Sequence, residues 1–398
     1  MGIFSSSKKE KSVLLFHIGT GSIGTSLVTN LKQSDKYIKP NVIYSSRTPF
    51  SFKENLSFSE FVEEMVKSLE TSLRNFEKAK LPPPDAIHCV LASPWYVSQT
   101  RVIQIEKNVP FVYTKKFEED LVKKEIERFA TERNLDTGEK DGGAQVIDKQ
   151  IIQIKLNGYS YVDPYEKKAK KAELAIFLSV SPTFLIERIR NTIKKTLNAK
   201  SVFFSSFVFM SFIVFRDIYK ETKDFLIIDV GSEVTDIAFV RNDLLEGSTS
   251  FPSGKNFILR RLVAGLKMSN DEVVSLMQLY QDGNIETGMK ERIDKFLLPA
   301  KNEWLKHFQN SLFTLSNNLT LPDAIFLTAG ENLVRWFQDT ITKEEFNQYV
   351  LTKKKFLVVT ADKSTLLSFC TPGCENANDP FMLLESIFIS RMHNINHA

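Results

Sequence analysis

The sequence predicts an α/β fold built from two related domains, each carrying a hairpin suited to meet a phosphate group. Two stretches carry that expectation, together with the length of the chain. The first stretch, 225–240, reads FLIIDVGSEVTDIAFV. Its apolar run ends in Asp229, a tight Gly231-Ser232 turn follows, and a second apolar segment begins after Thr235-Asp236. That is the pattern of two buried strands joined by a short hairpin. The second stretch, 14–28, reads LLFHIGTGSIGTSLV and overlays the first after a slide of 212 positions, from His17 to Asp229. Gly19 then falls on Gly231, Thr20 on Ser232 and Val28 on Val240. Two such hairpins imply a duplicated α/β domain gripping a nucleotide from both sides, a repeat of domains and not a solenoid. At 398 residues the chain is long enough for roughly two to four subdomains.

Each hairpin has a chemical logic. A glycine in the turn lets backbone amides approach an anion with no Cβ in the way. Turn N–H groups and hydroxyls then face phosphate, and a carboxylate at the strand end can hold Mg²⁺ through water. The candidate phosphate-binding residues are therefore Gly19, Thr20, Gly21 and Ser22 in the first hairpin, with Asp229, Gly231, Ser232 and Thr235 in the second. Asp229 is the candidate metal ligand and the candidate catalytic carboxylate. An ordinary buried hairpin has the same spacing.

Composition narrows the rest. Apolar residues at 42% and charged residues at 25% are those of a soluble globular protein. A net charge of +4 is too small to argue for nucleic acid. Cys89, Cys370 and Cys374 make no paired framework and fit a reducing cytoplasm. Cys370 and Cys374 resemble half a zinc site, but no second pair exists, so a loop with two free thiols is expected. The leader MGIFSSSKKEKS is polar and basic, without the apolar centre of a signal peptide, though Gly2 and Ser6 match a myristoylation pattern. The most hydrophobic run, 202–215, falls short of the ~18 residues a bilayer-spanning helix needs and reads as a buried strand running into a core helix. There is no HExxH and no Walker lysine loop, and His17, His88, His307, His393 and His397 lie at no metal-ligand spacing.

Taken in order, 12–31 is the first hairpin and 42–46 a further strand. Ser57 and Glu60 make a capping box for a helix whose apolar face is Phe58, Phe61, Val62, Met65, Leu69, Leu73 and Phe76. Lys-Leu-Pro-Pro-Pro at 80–84 is a hard stop and a subdomain boundary. Then come a short buried strand at 86–92, a half-exposed strand at 99–106, a charged helix at 117–129 and a flexible loop at 138–143. Two strands, 146–156 and 173–180, flank the turn NGYSYVDP. Ser181-Pro182 opens a helix with Leu185, Ile189, Ile193 and Leu197 on one face. After the second hairpin, 252–266 opens a helical region, Ser269 and Glu272 cap the next helix, and 289–315 is a long amphipathic pattern broken near Pro299. A late strand at 356–360 and a final helix at 381–392, preceded by Asp379-Pro380, complete the chain.

The pair of hairpins resembles the two phosphate loops of the actin, sugar-kinase and heat-shock-chaperone ATPase superfamily. The segment PDAIFLTAGE at 322–331 is similar to that superfamily's adenosine motif, which adds Gly330 and Glu331 to the nucleotide-binding candidates. Within the superfamily the chain resembles the bacterial actin-like proteins FtsA, of cell division, and PilM, of type IV pilus assembly. The resemblance covers nearly the whole chain. It implies duplicated actin-like ATPase domains of the ribonuclease-H-like type, flanking a nucleotide cleft, with a small α+β insertion. Residues 1–84, completed by 182–222 and 379–398, would form the first actin-like subdomain, and 85–181 the inserted domain. Residues 223–253 and 318–378 would form the second, with 254–317 as a helical subdomain. The piece LNGYSYVDPYEKKAKKAELAI in the insertion is similar to FtsA, although NGY and DP are also ordinary turn chemistry.

The resemblance implies ATP and Mg²⁺ as ligands, and three departures weigh against tight binding. His17 stands where the first hairpin of a working ATPase has a metal-side aspartate, and imidazole is a poor Mg²⁺ ligand. On the helix 270–281 the family's Glu and Lys, three apart around ribose and adenine, align with Val274 and Met277, in a register set to within a residue and with Glu272 nearby. Ala329 occupies the place of a second glycine beside Gly330. Weak or absent hydrolysis is expected, because phosphoryl transfer depends on positioned metal and water. The reading that follows is a cytoplasmic scaffold, at or near the inner face of the cell membrane, linking membrane-associated partners in division or pilus assembly. It would associate with protein partners, self-associate into dimers or cytoskeletal filaments, touch the membrane peripherally, and bind no nucleic acid. The alternative is an active ATPase or small-molecule kinase on the same fold.

Overall fold

Both hairpins form, and they share one register. The structure, a computed structural model, describes residues 11–29, 31, 39–51, 57–132, 143–197, 201–316, 320–330, 332–346 and 355–395. In the first hairpin Val13 lies opposite Val28, His17 opposite Gly24 and Ile18 opposite Ile23. In the second, Phe225 lies opposite Val240, Asp229 opposite Asp236 and Val230 opposite Thr235. The turns repeat too, since Gly19 N–H donates to the Ser22 carbonyl at 3.2 Å and Gly231 N–H to the Val234 carbonyl at 2.9 Å. Each pair is the other displaced by the 212 positions read from the sequence.

The sheets repeat as well. One six-stranded sheet runs Thr371–Pro372, Asn41–Pro49, Ser22–Thr29, Val13–Ile18, Ala86–Leu91, Val202–Ser206. A five-stranded sheet runs Leu244–Phe251, Thr235–Arg241, Phe225–Val230, Ala324–Ala329, Leu357–Thr360. Leaving aside the two-residue strand, both have chain order 3-2-1-4-5, with an antiparallel meander followed by strands reached through helical crossovers. This is a duplicated α/β fold. The chain divides into two compact units, Met1–Val90 with Arg190–Phe204 and Ala361–Ala398, and Leu91–Ile189 with Ser205–Thr360.

In the first unit the helix Phe58–Lys78 begins at the predicted capping box, with Ser57 and Glu60 each closing on the other's backbone. Met65, Leu69, Leu73 and Phe76 are buried as expected, but Phe58, in the first turn beyond the sheet's cover, is exposed. The final helix, Pro380–Ile395, starts with Asp379 accepting from Phe381 N–H at 3.0 Å and Pro380 in the first turn. Its Leu383, Leu384, Ile387 and Phe388 are buried, so this helix packs on the core. Cys370, which is buried, and Cys374, which is partly buried, are both free thiols, as expected.

In the second unit, the five-stranded sheet is covered by the helices Lys255–Leu266, Asn270–Gln281, Thr287–Ser316 and Val334–Lys343, with Trp304, Phe308 and Phe337 at the centre. Thr287–Ser316 runs unbroken through Pro299. Ile293, Leu297, Ala300, Trp304 and Phe308 recur at helical spacing on its buried face, and that packing outweighs a proline cost of ~3 kcal/mol. A four-stranded antiparallel sheet, ordered Val97–Val112, Lys168–Pro182, Ala144–Leu156, Tyr159–Tyr161, carries its own core beneath the helix Lys115–Glu132. Its first strand is longer than 99–106 because pairing to the partner strand resumes at Phe111 and Val112 beyond a bulge. Asn157 and Gly158, both with positive φ, make the two-residue turn between Leu156 and Tyr159.

The run 202–215 is indeed a strand followed by the buried helix Phe207–Ile218. No described helix is long and apolar enough to cross a membrane. The basic leader with Gly2 and Ser6, most of the 138–143 loop, and His397 lie outside the described residues.

Candidate functional site

Asp229 sits one residue from the end of its strand, 3% exposed, opposite Asp236 across the hairpin and beside Thr328 on the parallel strand. Thr328 Oγ1 donates to Asp229 Oδ1 at 2.7 Å, and Ser93 Oγ donates to Asp236 Oδ1 at 2.8 Å. Burial first, and the neighbouring Asp236 second, push Asp229 up to about 8 against the pull of the Thr328 bond. Burial pushes Asp236 up to about 7 against its bonds from Ser93. Two carboxyl groups directly opposite each other in a dry site cannot both ionise at little cost, so the pair keeps a proton near neutral pH.

The turn after Asp229 is seated on a helix start. Lys255 N–H donates to the Gly231 carbonyl at 2.9 Å, and Asn256 N–H to the Ser232 carbonyl at 2.8 Å. A Cβ at Gly254 would meet Gly231 O at 2.4 Å and Ser232 O at 2.6 Å, so only glycine allows this approach. Glu233 at the turn accepts both arms of the Arg260 guanidinium, at 2.9 and 2.7 Å, and Asn256 Nδ2 at 2.7 Å. Thr235 is fully buried, donates to the Ser253 carbonyl at 2.7 Å and receives Trp304 Nε1 at 3.3 Å, which commits its hydroxyl to the core. Gly231 and Ser232 remain at the partly exposed surface of the turn.

Gly330 follows the strand Ala324–Ala329, and its carbonyl accepts from Leu333 and Val334 N–H at the start of the next helix. A Cβ there would stand 3.3 Å from Lys255 Nζ, so the glycine makes room for an ammonium that no sequence motif singles out. Glu331 lies outside the described residues. Met277 is 1% exposed in the core, and Val274, partly buried, packs against that core. The side chains that reach the loop are Gln278 and Gln281, three apart and one turn further along. Gln278 Nε2 lies 3.5 Å from Asn332 Oδ1. Gln281 Nε2 donates to the Asn332 carbonyl at 2.6 Å while its Oε1 accepts from Trp336 N–H at 3.0 Å. Local apolar spacing had hidden this pair, which binds the helix to the loop.

In the first unit, His17 is buried and its Nδ1 lies 2.7 Å from Oε1 of Glu385, itself fully buried on the final helix. Burial, reinforced by the Arg47 guanidinium and opposed by Asp379, pulls the imidazole down to about 3. The ring is neutral, and the short contact is a hydrogen bond that fixes its orientation and not an ion pair. Arg47 donates to Ser22 Oγ at 2.7 Å and to Asp379 Oδ2 at 2.6 Å. Burial alone would raise Asp379, but the guanidinium holds it below the usual carboxylate range. Gly19 and Thr20 are buried and Gly21 partly exposed in this turn. Arg47, Asp379 and Glu385 come from distant parts of the sequence, and no local motif announces them.

These residues fit a phosphate better than a metal. Ser22 beside Arg47, and Ser232 in the second turn, supply a hydroxyl or cation of the required kind. Mg²⁺ favours carboxylate oxygen donors, whereas the first hairpin offers an imidazole tied to Glu385 and the second a buried carboxyl group already accepting from Thr328. Among the described residues no group of three or more His, Cys, Asp or Glu could hold a metal ion. Beside Asp236 lies a cavity of about 200 Å³ whose lining includes Ser93, Tyr96, Ser98, Ser248 and Ser250.

No protein-family model matches this chain, and no curated protein does. Among solved structures, a chain of the PilM-PilN type IV pilus biogenesis complex is 13% identical, with 96% of this chain and 98% of that one covered at a TM-score of 0.65. The ethanolamine utilization protein EutJ from Carboxydothermus hydrogenoformans is 10% identical, with coverage of 94% and 89% and a TM-score of 0.42. A protein of actin-like ATPase fold and unknown function from Bacteroides thetaiotaomicron is 9% identical, with coverage of 97% and 99% and a TM-score of 0.40.

Proposed function

We propose, from the actin-like ATPase fold that this chain has, that it is a PilM-like scaffold linking membrane-associated assembly machinery and turning over little or no nucleotide. The observation that carries this reading is the end-to-end likeness to the PilM-PilN complex chain, 96% of one against 98% of the other, which extends over the inserted sheet. The pilus neighbour tips the choice toward pilus assembly, with a PilN-like protein as partner and cell division as the other setting. The scaffold works in the cytoplasm, at the inner face of the cell membrane, and the 85–181 block serves as its partner or filament surface.

The geometry of the two hairpins supports binding without turnover. Ser22 with Arg47 in the first unit, and separately the Gly231-Ser232 turn in the second, are each suited to hold a phosphate weakly. A bound Mg²⁺ would supply the charge neutralisation that hydrolysis needs. His17, tied to Glu385, and Asp229, buried opposite Asp236 and bonded to Thr328, are poorly suited to hold it.

Co-purification of the full chain with a PilN-like protein encoded beside it is the test of the scaffold. Stable co-elution is the expected result, with Mg-ATP giving weak or undetectable heat in calorimetry. Co-elution with a tubulin-like division protein instead would move the role to cell division. A second reading, a small-molecule kinase, is favoured by the serine-rich cavity at Asp236. It predicts phosphoryl transfer to a small polar acceptor, and steady turnover in a coupled assay would replace the scaffold reading.

A further inference from the structure

The four-stranded sheet of the second unit has two ends. At one, Ala144 pairs with Pro182 and Val97 with Val180. At the other lie the Leu156–Tyr159 turn, the segment 162–167 and the start of the helix Lys115–Glu132. Tyr113 N–H donates to the Lys167 carbonyl and Glu166 N–H to the Tyr113 carbonyl, both at 2.9 Å, so these segments are held together.

That second end concentrates exposed apolar surface. Val109, Val112, Tyr159, Tyr161, Val162 and Tyr165 are six of the thirteen large apolar side chains exposed among the described residues, and Val162 has essentially no cover. Tyr159 and Tyr161 lie opposite Leu156 and Ile154, which are core residues, so the two tyrosines continue the buried face of the sheet past the helix that covers it. Apolar side chains gathered this way mark an interaction surface, whereas scattered ones do not.

Lysines surround the same end. Lys107, Lys115, Lys116, Lys167, Lys168, Lys170 and Lys171 are all exposed, against Glu106, Glu119, Asp120, Asp163 and Glu166, with Glu118 buried and bonded to Tyr113 and Tyr165. Lys107 Nζ stands 5.0 Å from the ring centres of Phe111 and Phe117, and Lys167 Nζ 5.1 Å from that of Tyr161. Ammonium groups on flexible stems interleaved with tyrosines match the boundary of an anionic bilayer. There tyrosine puts its ring among the acyl chains and its hydroxyl among the headgroups, and lysine reaches lipid phosphate.

We propose that this end of the block docks on an anionic lipid surface, with Tyr159, Tyr161 and Val162 entering the headgroup boundary and the lysines holding lipid phosphate. The contact is peripheral and reversible, and it would bring the chain to a membrane without a spanning helix. It rests on the membrane-side location of the proposed function but needs neither a pilus partner nor a nucleotide, and it gives one end of the 85–181 block to lipid, leaving the rest of the block as the partner or filament surface.

The test uses the full chain and sedimentation with vesicles. Binding to phosphatidylglycerol-containing vesicles should exceed binding to pure phosphatidylcholine by roughly tenfold or more and weaken as salt rises. Lys167→Glu with Lys168→Glu and Lys170→Glu should abolish that preference, and Tyr159→Ser with Val162→Ser should reduce binding without changing its salt dependence. A second readout is Val162→Trp at this uncovered position, against native Trp95, Trp304 and Trp336, which are all buried. Its fluorescence should shift to the blue on adding anionic vesicles. Equal binding to neutral vesicles, no blue shift, or binding to an acidic polypeptide with none to vesicles would each overturn the proposal.

Discussion

His17 Nδ1 and Glu385 Oε1 are 2.7 Å apart, both in the dry interior of the first unit. The position that aligns with Asp229 is therefore more than a missing carboxylate. It is occupied by a neutral ring whose partner is a carboxyl group. Replacing His17→Asp would set two carboxyl groups against each other without solvent. The single variant should lose about 3 kcal/mol or more of stability. His17→Asp with Glu385→Gln should recover most of that loss in thermal melts. Equal melting of single and double variants would show that Glu385 is not the controlling neighbour.

Met277 belongs to the core of the second unit. Met277→Lys would bury an ammonium among Ile293, Trp304 and their neighbours, and should destabilise the second unit by several kcal/mol, about 3–5. Gln281→Ala is the informative change instead, because it leaves Trp336 N–H and the Asn332 carbonyl without this side chain. It should cost about 1–3 kcal/mol, with faster hydrogen exchange confined to the start of Val334–Lys343.

How much of this was legible depends on whether the signal was local. The hairpin register could be read because glycine spacing and strand alternation repeat over a few residues. The capping boxes at Ser57-Glu60 and Ser269-Glu272 were legible for the same reason, each being complete within four positions. Arg47, Asp379 and Glu385 converge on the first hairpin from far along the chain, so no window contained them. Gln278 and Gln281, which reach Asn332 beside Gly330, were not legible, because apolar periodicity reports only which face is buried. Pro299 read as a break because local propensity says so, but a buried face spanning it prevailed.

Gly254 makes a separate prediction about the second turn. Its φ of −97° suits any residue, so the constraint is purely steric. Gly254→Ala would drive a methyl into Gly231 and Ser232 and lengthen the bonds from Lys255 and Asn256 that hold the turn. A loss of about 1–3 kcal/mol is expected in thermal melts. Unchanged melting would mean that the turn can move away freely.

The buried carboxyl groups set a pH dependence whose sign can be worked out. An aspartate in the unfolded chain titrates at about 3.9, whereas Asp229 and Asp236 in the folded protein are pushed up to about 8 and about 7. Between those limits the folded protein holds protons that the unfolded chain has released. Stability from these groups is thus complete below about pH 4 and is lost as pH rises toward 7 and 8, by at most about 1.4 kcal/mol per pH unit for each. Asp148, pushed up to about 6 by burial against its bonds from Ser206, acts in the same direction over a narrower range. His17 acts oppositely, because an imidazole pulled down to about 3 gives stability that is lost as pH falls below about 6.5. The wild-type profile mixes these groups with others such as Asp379, and the difference between variants separates them. Asp236→Asn removes one carboxyl group and relieves its neighbour. Relative to wild type it should therefore gain stability steadily from about pH 5 to about pH 8 in denaturant titrations, with Asp229→Asn doing the same to a slightly higher pH. A difference that stays constant across that range would mean that both carboxyl groups are already ionised in the folded protein, and Asp229 would then be far better suited to hold a metal ion than its burial implies.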